Sequence, residues 1–128
     1  MQVGTTGRPV RGDAFDSECP TREVLDHVTS KWAVLVLAAL AADPLRFSAL
    51  RRRIAGVSDK MLAQTLRTLE SDGFVAREVA PTTPPQVTYS LTPLGEDLTG
   101  HLTGLLEFLA VRIPDIQAAR GVVRAQTG

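Results

Sequence analysis

The stretch from Ser58 to Val79, SDKMLAQTLRTLESDGFVAREV, constrains the fold more than any other part of this chain. Laid on a helix, Leu62, Thr65, Leu66 and Leu69 recur at i, i+3, i+4 and i+7 and form one apolar face. Ser58 stands where an N-cap oxygen is needed, and Asp59 puts a carboxylate in the first turn, where the helix dipole favours it. Gly73 stops the helix, and Phe74 to Val79 reads as a strand. The outer face carries Lys60, Gln64, Arg67 and Ser71, two cations and an amide with no carboxylate. Phosphates and base edges call for such groups. Many solvated surface helices present the same face, so the surrounding residues decide between the two readings.

A length of 128 residues suits one domain, and a hydrophobic fraction of 44% suffices for a core. Aromatics are only 5%, so that core must be built from Leu, Val, Ala and Ile. The net charge of +0 taken alone argues against a general nucleic-acid binder. Its distribution does not. From Arg46 to Arg67 there are six cations (Arg46, Arg51, Arg52, Arg53, Lys60, Arg67) and one acid, Asp59. From Thr68 to Glu107 there are six acids and one base, Arg77. A basic block of this kind steers polyanions. The longest apolar run, Trp32 to Ala42, has 11 residues, well short of the ~18 a membrane span requires. The first residues, MQVGTTGRPVRG, lack the apolar middle of a signal peptide. Cys19 has no second cysteine to pair with, which points to a reducing cytoplasm.

Along the chain, residues 1–17 lack periodicity and read as a mobile arm. A domain is expected over 18–113, with 114–128 as a tail or short helix. Pro20 fits a first helical position, with Cys19 as N-cap and Val24, Leu25 and Val28 on the inner face. KWAVLVLAALAAD follows, apolar nearly all round and therefore central, ending at Asp43-Pro44. RFSALRRRIAG makes a short third helix with Phe47, Leu50 and Ile54 inward and Gly56 at its end. After the Ser58 helix, two strands separated by APTTPPQ predict a two-stranded hairpin, with Val87, Tyr89 and Leu91 alternating along the second. Thr92-Pro93 starts a long helix that places Leu94, Leu98, Leu102, Leu105, Leu106, Leu109 and Ile113 on one stripe. Pro114 is expected to break it.

Helices three and four, joined through Gly56, form a helix-turn-helix, and the hairpin behind them forms a wing. In that arrangement the fourth helix enters the DNA major groove and the hairpin tip follows the backbone or minor groove. The fold class is mainly α with a small β-hairpin (α+β), a dimeric winged helix-turn-helix. The leucine stripe of the last helix exceeds what one small domain can bury and offers a dimer surface.

CPTREVLDHVTSKWAVLVLAAL, RFSALRRRIAGVSDKMLAQTLRTLESDGFVAREV and PPQVTYSLTPLGEDL resemble the HxlR-type family of bacterial winged helix-turn-helix regulators, which are MarR-like. The resemblance spans roughly residues 18–109. It rests on Cys19-Pro20, Lys31-Trp32, Arg46-Phe47, Ser58 with Lys60-Met61-Leu62, Leu66, Leu69 and Asp72-Gly73. Further on, Pro84-Pro85, Tyr89-Ser90-Leu91-Thr92 and Leu94-Gly95 continue it. One departure is His27-Val28-Thr29-Ser30, where the family has a more apolar stretch with glycine. The resemblance implies a transcription regulator, expected to be a repressor. It would bind a double-stranded DNA operator as a homodimer through its N-terminal and C-terminal helices. It also implies that Cys19 can sense oxidants or electrophiles, as several members use this cysteine, so an oxidant or small-molecule effector is expected.

On the fourth helix Gln64 is the leading candidate for base readout, since Gln pairs bidentately with adenine. Lys60 suits a phosphate or guanine edge, and Met61, Thr65, Arg67 and Thr68 complete the candidate set. Ser58 is both cap and candidate contact. Arg51, Arg52 and Arg53 sit about 100° apart on a helix and cannot all face one way. One or two are expected to pair with acids such as Asp43 or Glu70, and at least one to reach a phosphate. Arg46 and Ser48 can reach the backbone at the start of helix three. The wing offers Arg77, Thr83, Gln86 and Thr88, but its tip of prolines and threonines has no Lys or Arg and should add little affinity. It can equally be a rigid turn set by Pro84 and Pro85. A thiol at a helix start, as in Cys19, is shifted towards thiolate; the plain alternative is a small capping residue.

His27 and His101 lack a second ligand at metal spacing, so neither metal nor cofactor is expected. No loop suited to an oxyanion accompanies Cys19, so no enzyme is expected. The rival reading is a winged-helix module that binds protein or a small ligand and no longer reads DNA.

Overall fold

The computed structural model describes residues 11–127, with side chains through Gly121. Helix α1 spans Pro20–Val28 and α2 spans Lys31–Leu40. The Ser30 hydroxyl oxygen accepts the Ala33 amide at 3.2 Å and so caps α2. The departure at residues 27–30 therefore supplies a cap, and Val28 within it is buried. Helix α2 fills the centre as its composition demands, with Ala33, Val34, Val36, Leu37 and Leu40 buried.

A short strand β1, Leu45–Arg46, leads into α3, Phe47–Arg53. Helix α4 runs Asp59–Ser71, β2 Val75–Ala80, β3 Gln86–Leu91 and α5 Pro93–Thr127. The hairpin expected from sequence is thus part of a three-stranded antiparallel sheet, ordered β1-β3-β2. Leu45 lies opposite Tyr89 and Arg46 opposite Thr88. Two residues are too few to show alternation, and β1 exists only because β3 offers a free edge. Arg46 consequently ends a strand and caps α3 by position rather than opening that helix.

Between α3 and α4, Gly56 takes φ 89° and Gly73, beyond α4, takes φ 85°, a region disfavoured for residues with a Cβ. At the end of α4 the Phe74 amide donates to the Leu69 carbonyl at 2.9 Å and the Gly73 amide to Glu70 at 3.0 Å. This double bond pattern is a Schellman stop, and it turns the chain into β2. Thr92 then ties the start of α5 to the same corner. Its hydroxyl donates to the Gly73 carbonyl at 2.6 Å and accepts the Gly95 amide at 3.0 Å. A Cβ at Gly95 would collide with the Phe74 carbonyl, so glycine lets α5 start flush against β2.

Pro114 does not end the last helix, contrary to expectation: α5 continues to Thr127 with Pro114 inside it. Proline removes the amide that would meet the Ala110 carbonyl. Both residues are exposed, so water can satisfy that carbonyl in place of the lost bond. The core itself is made by Val36 and Leu37 of α2, Leu50 of α3 and Leu62, Leu66 and Leu69 of α4, all essentially without solvent contact. Each such side chain contributes about 1.5–3 kcal/mol of burial, so α4 is the most firmly anchored of the amphipathic helices. Trp32 packs against this core, half-buried, with the Lys31 ammonium 4.3 Å from its ring centre.

Candidate nucleic-acid interface

Helix α4 divides as its periodicity requires. Leu62, Thr65, Leu66 and Leu69 are buried, while Lys60, Met61, Gln64 and Arg67 are exposed. Both ends are fixed. The Ser58 hydroxyl oxygen accepts the Met61 amide at 3.0 Å. At the far end, Asp72, the C-cap residue, meets His27 Nδ1 of α1 at 2.7 Å through its Oδ2. The exposed face is therefore held by a capped start, a buried stripe and a side-chain clamp.

Thr65 belongs to that buried stripe and not to the outer face, which corrects its place among the candidate contacts. It is 8% exposed, and its hydroxyl donates to the Met61 carbonyl one turn back at 2.8 Å. Four residues before Leu69 and three after Leu62, it lies at the inner edge of the α4 face, with its oxygen satisfied locally and its side chain forming part of a groove wall. Thr68 is half-buried. With Met61, Gln64, Asp26, His27 and Ser30 it lines a groove of about 210 Å³ between α4 and the α1–α2 junction. Gln64 is thus exposed on the rim of a groove rather than on a bare cylinder.

One arginine of α3 pairs with an acid, as anticipated, but the partner differs. Arg51 Nε meets Asp59 Oδ1 at 2.7 Å, instead of Asp43 or Glu70. The turn at Gly56 brings the last turn of α3 beside the first residue of α4, an adjacency that sequence spacing does not reveal. Arg52 and Arg53 are exposed, as are Arg46, Ser48 and Ser58. Strand β1 sets Arg46 opposite Thr88, and Thr88 lies opposite Glu78 of β2. Arg77 is exposed on β2, opposite Tyr89. The α3 block and the wing are therefore joined by backbone pairing through Arg46, a link that no local spacing in the sequence reveals. The wing tip, Pro81 to Gln86, is wholly exposed, Thr83 included, and the Thr82 hydroxyl donates to the Pro84 carbonyl at 2.7 Å.

Cys19 is the N-cap residue of α1, but its side chain makes no cap bond. The Asp13 amide donates to Sγ at 3.3 Å, and Thr21 Oγ1 lies 3.3 Å away. These contacts hold the thiol below its ordinary value of 9.0. The Asp13 amide contributes most, then the Thr21 hydroxyl and the Thr21 amide. The helix start expected to activate the thiol contributes through Thr21, but the turn before it contributes more. That turn occupies the end of the segment read as an arm. Arg22 secures it by donating from Nε to the Ala14 carbonyl at 2.9 Å. Residues 1–10 of that arm lie outside the described residues.

Among the described residues no helix is long and apolar enough to cross a membrane. None of their His, Cys, Asp and Glu side chains gather in a group that could hold a metal ion.

The model of the HxlR-like helix-turn-helix family matches residues 27–116. The uncharacterized HTH-type transcriptional regulator YtfH of Escherichia coli strain K12 is 49% identical over 119 residues, covering 93% of this chain and 94% of its own. Among solved structures, the proposed transcriptional regulator ytfH from Salmonella typhimurium is 50% identical with a TM-score of 0.82, covering 87% of this chain and 99% of its own. The redox regulator HypR in its oxidized form is 34% identical with a TM-score of 0.68, covering 73% and 96%.

Proposed function

This chain belongs to the HxlR-like helix-turn-helix family and is a transcriptional regulator, and from that premise we propose that it reads a double-stranded DNA operator as a homodimer, acting as a repressor that responds to oxidants or electrophiles through Cys19. The observation that carries the DNA reading is the split of α4 into a buried apolar face and an exposed face of Lys60, Met61, Gln64 and Arg67, with both helix ends held. Lys60, Arg67, Arg46, Arg52 and Arg53 neutralise phosphates and release counterions, so binding weakens steeply with salt. Gln64 reads a base edge. The uncharged wing tip adds shape more than affinity. An operator is met in the cytoplasm, which is where this reading locates the protein.

Support for the homodimer comes from α5. Leu105 is 50% exposed, Phe108 54% and Ile113 43%. So much apolar surface on one helix calls for a covering partner. Support for redox response comes from the depressed thiol of Cys19 and from likeness to the redox regulator HypR. Two Cys19 thiols, one per protomer, form a disulfide by giving up two protons and two electrons to an oxidant such as diamide. Helix α1 carries Cys19 at its start and His27, the partner of Asp72, near its end. The two are about 12 Å apart along the helix, so a shift of α1 reaches the C-cap of α4.

Fluorescence anisotropy with the chain's own upstream DNA tests the reading. Lys60→Ala and Arg67→Ala should each weaken binding and flatten its salt dependence by about one unit of slope, with melting unchanged. Unchanged affinity in both would remove α4 from the groove and favour the module that binds protein or ligand. Diamide should lower the operator affinity of wild type and spare Cys19→Ser. Equal loss in both would end the role of the thiol.

A further inference from the structure

The block from Arg46 to Arg67 contains a single acid, Asp59. It stands in the first turn of α4 and grips Arg51 at the end of α3, Oδ1 to Nε at 2.7 Å, with the two side chains 69% and 55% exposed. An ion pair so open to water is weak, so it lowers the share of Arg51 free to meet a phosphate about a few-fold and does not lock the side chain. A helix start beside an arginine is also where a DNA phosphate is commonly received. Here that position already holds a carboxylate, which repels phosphate and occupies the guanidinium. Within the face assigned to DNA, the charge of Arg51 is thus engaged inside the protein before any DNA arrives.

We propose that Asp59 is a specificity-determining residue, which suppresses sequence-independent attachment to DNA by keeping Arg51 off the phosphates. The proposal rests on the DNA reading above. On the operator, base contacts from α4 fix the depth and angle of that helix, and the Arg51–Asp59 pair persists. On other sequences nothing fixes α4, and binding consists of phosphate contacts alone. An extra mobile cation would matter most there. Asp59 denies that cation to the wrong sequences while costing the operator complex little.

The test compares wild type, Asp59→Asn, Arg51→Ala and the double variant by anisotropy. The probes are a duplex from the upstream region and a length-matched scrambled duplex, each from 50 to 200 mM salt. Asparagine keeps the size of the side chain at the helix start, and circular dichroism melts report whether the variants fold. Asp59→Asn should tighten scrambled-duplex binding, steepen its log–log salt slope by about 0.9, and lose about threefold of the gain between the two salt limits, as one added phosphate contact requires. Operator binding should change less, so the operator-to-scrambled ratio falls. Arg51→Ala should do little alone and should erase the gain in the Asp59→Asn background. Three results overturn the proposal: no change on scrambled DNA, an equal gain on both duplexes, or an Arg51→Ala loss on scrambled DNA as large as that of Arg67→Ala. If wild type and Arg67→Ala bind either duplex alike, the DNA reading itself fails. If Arg67→Ala weakens binding while Asp59→Asn does nothing, that reading stands and only the role of Asp59 falls.

Discussion

Helices α4 and α5 begin from similar sequence material and end in opposite situations. Each carries a leucine stripe at helical spacing. On α4 the stripe is covered: Leu62, Leu66 and Leu69 have almost no solvent contact. On α5 coverage is partial, and Leu94 at its start is already 54% exposed. Leu102 is buried and Leu98 and Leu106 pack on the core, but Leu105, Phe108, Leu109, Val111 and Ile113 lie open. One helix spends its apolar face inside the domain and offers its polar face outward. The other carries an apolar face past the end of its own core. A helix of the first kind is held in place while it presents side chains; one of the second kind leaves apolar area in water, which is the ground for the homodimer proposed above.

The comparison can be broken most sharply through stability. Leu66→Ala should cost about 2–5 kcal/mol in urea denaturation of the protein, since it opens a cavity in α4's packing. Leu109→Ala, half exposed on α5, should cost far less at concentrations where the chain is monomeric. Equal losses would mean that both stripes serve the same core. Next in size is assembly. Leu105→Glu with Leu109→Glu should leave the domain folded but shift sedimentation from dimer to monomer, with operator affinity falling in step. A double variant that still sediments as a dimer would move the interface off α5.

Smaller effects sharpen the role of each α4 face. Gln64→Ala should cost about 1–3 kcal/mol against the preferred operator base and relax discrimination at that position. Loss that is uniform across sequences would demote Gln64 to a backbone contact. The Cys19 thiol lies below its ordinary value of 9.0 because of the Asp13 amide and then Thr21. Its alkylation by iodoacetamide should therefore reach half its maximal rate below pH 9.0, and Thr21→Ala should move that midpoint upward. A midpoint unmoved by Thr21→Ala would leave the two backbone amides, of Asp13 and of residue 21, as the causes. The smallest change is expected from Thr65→Val, which removes one hydroxyl bonded within α4 and should cost about 1 kcal/mol of stability at most. Its operator affinity should equal that of wild type; a large loss would return Thr65 to the DNA face.

Much of this architecture was legible in the chain because its signals are local. The cap at Ser58, the glycine stop at Gly73, the apolar run of α2 and the Thr92-Pro93 start each depend on a few neighbouring residues. The structure forms all of them. Strand β1 was not legible, because two residues carry no period and their partner lies more than forty positions away in β3. Pro114 misled for the converse reason. Its local rule is to break a helix, and that rule weakens where water can reach the freed carbonyl.

For the candidate interface, sequence alone determined which side chains α4 would show and which it would hide, because helical periodicity sorts residues without reference to anything else. Thr65 is instructive here, since its spacing with Leu62 and Leu69 already assigned it to the hidden side. Only the tertiary structure decided which charges are free to act. It joined Arg51 to Asp59, His27 to Asp72 and the Cys19 thiol to the Asp13 amide. Such pairings depend on where turns bring separate elements together, and no periodicity records that.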